Sequence, residues 1–271
     1  TFSSYAVRQL MWGSISAVVY ILILRIGYRK FLDLAGPLFL LMIFLLVVLL
    51  AVGYTTKGAQ SWFNLGVMRF QPSETGKVIL ALVLAQVCSK MPPTDIKGIS
   101  AAMGLAGMMI ILILLQPDLG SSLVYSVMLF AVLTAAGAPV KFLSGIVVSM
   151  LAMLPAAWVF LKPYQKMRLM VFLDPTIDPQ GAGYNVIQSR IAVGSGGLFG
   201  KGFLHGTQGK LHFLPEPHTD FIFSVFSEEF GFIGCSVVLL LFTVLLLRML
   251  NAAYYTRDTR GKLLAAGIVA W

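Results

Sequence analysis

Apolar residues run through this chain in long, nearly unbroken stretches, each close to the ~20 residues that a helix needs to cross a bilayer core. Seven such spans stand out, at roughly residues 10 to 24, 35 to 53, 75 to 89, 98 to 115, 119 to 136, 142 to 161 and 221 to 247, and an eighth begins near Lys262. The pattern predicts an all-α fold, a polytopic transmembrane helical bundle. Between the sixth and seventh spans lie the 58 residues from 162 to 219, with nine glycines and all three histidines, His205, His212 and His218. A loop of that length inside a compact domain is usually functional. Its semi-apolar middle, 184 to 194, predicts a re-entrant or interfacial helix, because backbone at membrane depth must be covered by protein or line a wet cavity. The chain opens at Thr1 and stops at Trp271 inside an apolar run, so it reads as a fragment of one multi-spanning membrane domain covering 1 to 271.

Composition sharpens this. With 58% hydrophobic and 11% charged residues and a mean hydropathy of +0.86, a water-soluble globule, a disordered chain and a disulfide scaffold are excluded. The net charge of +9 comes from basic residues scattered over loops, not from one stripe with interleaved aromatics, so membrane lipids rather than nucleic acid are the implied partner. One set of short loops holds Arg25, Arg29, Lys30, Lys90, Lys97, Lys141, Arg248, Arg257, Arg260 and Lys262, while the opposite set holds only Arg8, Lys57 and Arg69. The positive-inside rule makes the first set cytoplasmic and leaves 54 to 74, the corner around Gln116 and the 162 to 219 loop outside. In the first of these, the Asn64-Leu65-Gly66 centre with its aromatic flanks predicts a short hairpin, although an aromatic interface anchor accounts for the same residues. Cys88 and Cys235 lie inside apolar runs and read as small core residues.

Charges inside or at the edge of spans are expensive and mark the first places to look for chemistry. Glu74, Asp118 and Asp220 each sit at the outer, N-terminal start of a helix, where capping is the simplest account and a shared outward-facing cleft the functional one. Lys77 follows Glu74 by three residues and can pair with it on one helix face, or snorkel to the surface. Glu228 and Glu229 lie about two turns deeper than Asp220, too deep for capping, and need partners in the bundle or a polar cavity. The histidine spacing matches no short metal-ligand pattern. The Gly194-Ser195-Gly196-Gly197-Leu198-Phe199-Gly200-Lys201-Gly202 run lacks the Gly-Lys-Ser/Thr ending of a P-loop, but is suited to bending amides and Lys201 toward an anion.

The runs Asp178-Pro179-Gln180-Gly181-Ala182-Gly183-Tyr184, Gln188-Ser189, Gly206-Thr207-Gln208 and Leu214-Pro215-Glu216-Pro217-His218-Thr219-Asp220-Phe221-Ile222-Phe223, with Gln71-Pro72-Ser73-Glu74 and Gln116-Pro117-Asp118-Leu119-Gly120, closely resemble the SEDS family of bacterial cell-wall polymerases. The Gly-Thr-Gln element looks like the RodA elongation branch. The family has ten spans, so the chain resembles a version without the first helix and the last two or so. What the resemblance implies is a peptidoglycan glycosyltransferase of cell elongation and shape, in the bacterial plasma membrane. It polymerises lipid II into β-1,4 glycan strands at the extracytoplasmic face, by one in-line, inverting displacement.

The family's essential acid matches Asp220, and its supporting pair matches Glu74 and Lys77. Asp220 suits the general base, since the acceptor 4-hydroxyl must lose a proton as a pyrophosphate leaves. Arg168, Arg190, Lys201 and Lys210 are expected to hold the lipid pyrophosphates, with Asp118, Glu216 and His218 among the substrate-binding groups; a divalent cation, magnesium or manganese, is the cofactor such chemistry admits. The implied partners are lipid II, the growing strand and a transpeptidase of class B penicillin-binding type. A lipid-linked sugar flippase and a transpeptidase scaffold are the rival readings. Transport predicts charged or broken pathways through mid-span, whereas here the acids gather at the outer rim.

Overall fold

The structure, a computed structural model, describes the chain apart from residues 1, 57, 58, 65 to 68, 162, 182, 212 and 216. Of residues 2 to 4, 54 to 56, 59, 60, 153, 154, 156, 157, 160, 164, 209 and 210 it describes the backbone alone. Glu216 with its expected role, and the tip of the expected hairpin, lie outside the described residues, as does the side chain of Lys210. Two compact units form, residues 1 to 145 with 249 to 271, and residues 146 to 248.

The first unit is built on α1 (Phe2–Ile26), α2 (Tyr28–Asp33), α3 (Ala35–Val52), α4 (Pro72–Lys90), α5 (Ile96–Leu115) and α6 (Leu119–Ala135). In α3 the buried positions Ala35, Phe39, Met42, Leu46 and Leu49 follow the helical period, and in α5 Ile99, Ala102, Ala106, Met109 and Ile113 do the same. Each of these helices therefore turns one stripe inward and leaves residues such as Leu40, Phe44 and Ile111 exposed, as lipid contact requires. α4 is different. Seven consecutive residues, Ile79 to Ala85, are buried, because α3, α5, α6 and the last helix, α12 (Thr259–Ala270), pack around it. At Gly267 an added Cβ would lie 3.1 Å from Ala81 Cβ, tighter than an ordinary contact, so glycine permits the close approach of α12 to α4.

Between α3 and α4 lie three short antiparallel strands, β1 (Tyr54–Thr56), β2 (Ala59–Asn64) and β3 (Arg69–Phe70), in that order. Phe63 pairs with Phe70 and Asn64 with Arg69, so the expected hairpin exists, and a second pairing, Tyr54 with Trp62, extends it. Near the far end of the bundle, Asp258 caps α12 through the Arg260 amide at 3.1 Å and accepts hydrogen bonds from Tyr28 Oη at 2.8 Å and Arg29 Nε at 3.2 Å. The Tyr28 hydrogen bond, helped by both arginines, holds the Asp258 carboxyl below the usual carboxylate range.

The second unit contains most of α7 (Val140–Phe160, with Pro155 inside it), then α8 (Pro163–Leu173), a 3₁₀ turn (Pro175–Ile177), α9 (Tyr184–Ser195), α10 (Thr207–Lys210) and most of α11 (Ile222–Tyr255). The helix expected near 184 to 194 is α9. The seventh span differs from its expectation: α11 is interrupted at Gly231, whose φ of 65° and ψ of −164° are not helical. Such a backbone is essentially restricted to glycine.

Candidate active site

In the first unit, α4 and α6 carry the acids Glu74 and Asp118 in their first turn and N-cap, and Gln71 links the two helix starts. Gln71 precedes α4, Pro72 opens it with no amide to leave unsatisfied, and Glu74 lies in its first turn. Lys77 is buried, with 8% of its side chain exposed against 51% for Glu74, and its Nζ donates to both Glu74 oxygens at 2.8 Å. The ring of Trp271 lies 5.5 Å from the same ammonium, a distance at which the aromatic face attracts it. Lys77 therefore pairs rather than snorkels. Asp118 is the N-cap of α6: Oδ1 accepts the Ser121 amide at 3.0 Å, and Oδ2 accepts Ser121 Oγ at 2.7 Å and Gln71 Nε2 at 3.2 Å. One carboxylate thus caps its own helix and fastens the residue that leads into α4.

A layer deeper, fully buried Tyr125 donates to the Ser73 carbonyl at 2.8 Å. Gly76 permits this, since a Cβ there would collide with the Tyr125 hydroxyl. Sequence reasoning missed Gln71 and Tyr125 as supports. Gln71 was visible as part of the Gln71-Pro72-Ser73-Glu74 run but with no role attached, and Tyr125 reads in the sequence as an ordinary core residue of α6.

In the second unit, Asp220 and His218 are exposed in the turn that leads into α11. Ser189 Oγ lies 2.7 Å from Ser224 Oγ, joining α9 to the first turn of α11, so Arg190 of α9 is carried next to that junction. Arg168 on α8 and Arg190 are both exposed. Asp174 caps the 3₁₀ turn, and hydrogen bonds from the Thr176 hydroxyl and amide, with the Arg190 charge adding to them, hold its carboxyl below the usual range. Asp178 forms a local turn by accepting the Gly181 amide at 3.0 Å.

The anion that Lys201 meets is the chain's own Glu228. Its Nζ lies 2.7 Å from Oε1 of that fully buried carboxylate, which also accepts the amides of Thr207 and Gln208 and the Thr207 hydroxyl. The expected partner of Glu228 inside the bundle is thus supplied by the Gly-rich loop. Cys235 is a free, buried thiol with Sγ 2.9 Å from Ser227 Oγ, and Cys88 is likewise free and buried. Among the described residues no three His, Cys, Asp or Glu side chains converge. His205 Nδ1 pairs locally with the Phe203 carbonyl at 2.9 Å.

Comparison with known proteins identifies the family. Residues 1 to 271 match the family model described as cell cycle protein, FtsW/RodA/SpoVE. The peptidoglycan glycosyltransferase MrdB of Escherichia coli K12 is 41% identical over 264 residues, covering 97% of this chain and 71% of the relative. Stage V sporulation protein E of Bacillus subtilis is 36% identical over 279 residues, covering 98% and 74%. Among solved structures, a chain of a peptidoglycan synthase complex, described as coordinating polymerization and crosslinking, superposes with a TM-score of 0.80 at 31% identity, covering 97% of this chain and 74% of that one. The rod shape determining protein RodA of Thermus thermophilus gives 0.65 at 29% identity, covering 94% and 67%. The chain is an integral membrane protein, and it belongs to the FtsW/RodA/SpoVE family of cell cycle proteins.

Proposed function

We propose that this chain is a peptidoglycan glycosyltransferase that polymerises lipid II into β-1,4 glycan by inverting transfer, with Asp220 as general base at the extracytoplasmic face. The class of enzyme follows from relatives that are peptidoglycan glycosyltransferases over almost the whole of this chain. The observation that carries the residue assignment is the mounting of Asp220: an exposed carboxylate at the entry of α11, beside the Ser189–Ser224 junction that brings Arg190 to the same helix start.

The chemistry is one displacement. The acceptor 4-hydroxyl gives its proton to the Asp220 carboxylate as its oxygen attacks the anomeric carbon, and the bond to the lipid pyrophosphate breaks on the opposite face. Positioned general bases typically contribute ~10²–10⁴-fold. Arg168 and Arg190, exposed on α8 and α9, supply fixed donors for the negative charge that grows on the leaving pyrophosphate. Lys201 donates to Glu228 while about a third of its side chain stays open to solvent, so it is proposed beside those donors with its ammonium already fixed at one side. The Glu74–Lys77 pair takes the supporting role that the family resemblance gives it; the hydrogen bonds to both Glu74 oxygens fix the Lys77 side chain in a buried setting.

Orientation rests on the loop charges, which leave the 162 to 219 segment on the poorer side of the basic bias. The partner proposed is a class B penicillin-binding transpeptidase, because a relative at 31% identity belongs to a synthase complex that couples polymerization with crosslinking. The test is to reconstitute the full-length protein and its partner in vesicles with labelled lipid II. Lengthened glycan from wild type and none from Asp220→Ala is expected; movement of lipid II across the bilayer without lengthening would replace the polymerase with the flippase.

A further inference from the structure

Glu228 is the one fully buried acid among the described residues, and everything that satisfies it comes from the Gly-rich loop. The reason begins at Gly231. In an unbroken helix the Glu228 and Glu229 carbonyls would accept the Phe232 and Ile233 amides four residues on. The break frees all four groups, and the loop takes each of them: Lys201 and Gly202 donate to the two carbonyls at 2.9 and 3.0 Å, while Phe232 and Ile233 donate to the Gly197 and Leu198 carbonyls at 2.9 and 3.1 Å. So close an approach requires Gly196, Gly200 and Gly231, where an added Cβ would collide with the Ser227 carbonyl, the Glu229 carbonyl and the Gly200 amide. This backbone splice seals the broken helix without any side chain.

The Glu228 carboxylate is therefore not needed to repair the break, and it reaches elsewhere. Oε1 accepts from Lys201 Nζ at 2.7 Å, from the Thr207 amide and hydroxyl at 2.8 Å each, and weakly from the Gln208 amide at 3.3 Å, whose stronger bond is to Oε2 at 3.1 Å. These bonds tie residues 207 and 208 to α11 and turn the chain from 207 to 228 into a closed loop. Asp220 is carried on that loop, eight residues before Glu228 and twelve after Gln208.

We infer that Glu228, with Lys201, is a positioning residue for Asp220: it anchors the far end of the segment that presents the proposed base, while the Ser189–Ser224 contact anchors the near end. The inference rests on the assignment of Asp220 as base. Without the tie, the segment after Lys201 is free to shift, and a displacement of about 1 Å at a reacting group is enough to cost roughly 100-fold in rate.

The test is steady-state polymerisation by the full-length enzyme with its transpeptidase, over a series of lipid II concentrations. Glu228→Gln keeps shape and one acceptor but loses the charge, and should lower kcat about 10-fold with KM within about twofold; Glu228→Ala should approach 100-fold. Thr207→Val, which keeps volume and removes one donor, should lie between wild type and Glu228→Gln, and it preserves the test where Glu228→Ala fails to fold. Wild-type kcat per folded molecule in Glu228→Gln and Thr207→Val, alongside an inactive Asp220→Asn, overturns the positioning role and leaves the base intact. A loss confined to KM also overturns it, because it would put the Glu228–Lys201 pair at the substrate. Full activity in Asp220→Asn is the separate result that removes the base.

Discussion

Replacing Glu74 by alanine strands the Lys77 ammonium in a site where only 8% of its side chain reaches solvent, leaving the Trp271 ring as its remaining described attraction. Breaking a fully buried pair from one side costs ~3–5 kcal/mol, and an exposed pair is worth ~0–1 kcal/mol. Glu74 is half in solvent at 51%, so its own charge is partly screened and the loss is expected at about 1–2 kcal/mol. At ~2–4 °C per kcal/mol for a chain of this size, Tm should fall by roughly 2–8 °C. Lys77→Met removes the buried charge instead and leaves a Glu74 that water can solvate, so Tm should move by less than about 2 °C. Both variants should lose polymerisation. The assay is a thermal melt of the detergent-purified full-length protein beside turnover of labelled lipid II. Equal destabilisation by the two substitutions would refute the reasoning, because it would mean that the pair, rather than the buried amine, sets the cost.

Two further perturbations probe the surroundings. Gly76→Ala drives a Cβ into the Tyr125 hydroxyl and should cost about 1–3 kcal/mol in chemical denaturation, part of which Gly76→Ala with Tyr125→Phe should recover by removing the colliding atom. Asp258 is held below its ordinary pKa chiefly by Tyr28, so its contribution is present above the unfolded value of about 3.9 and disappears as pH falls through the lower folded value. Asp258→Asn should accordingly lower Tm at neutral pH, with the gap to wild type closing as pH drops below that range; a gap that widens in acid would contradict the sign.

The spans were legible because apolar runs end at glycine, proline or charge, and α3 and α6 fall within a residue of their expected limits. α4 begins three residues earlier than its apolar run, because Pro72 is well placed to open a helix and the Pro-Ser-Glu turn carries no apolar signal although Pro72 and Ser73 are buried. α8 was invisible for a related reason: Lys166 and Arg168 interrupt its apolar residues, and only Val171 and Gln165 among its described side chains are buried. The break in α11 left no trace either, because a single glycine inside a long apolar run reads as helix until the φ value is known. Of the site, the Glu74–Lys77 pair follows from i,i+3 spacing, and Asp118 as a cap follows from its place before Leu119. The Glu228–Lys201 ion pair joins residues 27 apart in sequence, and neither helical period nor loop composition carries that information.

The account stands most directly on the chemical step at Asp220. Single-turnover polymerisation, with the full-length enzyme and its partner in excess over labelled lipid II, isolates that step from binding and release. Asp220→Asn should bind lipid II with unchanged affinity and slow bond formation by at least about 100-fold; bond formation at the wild-type rate would show that the proton goes elsewhere.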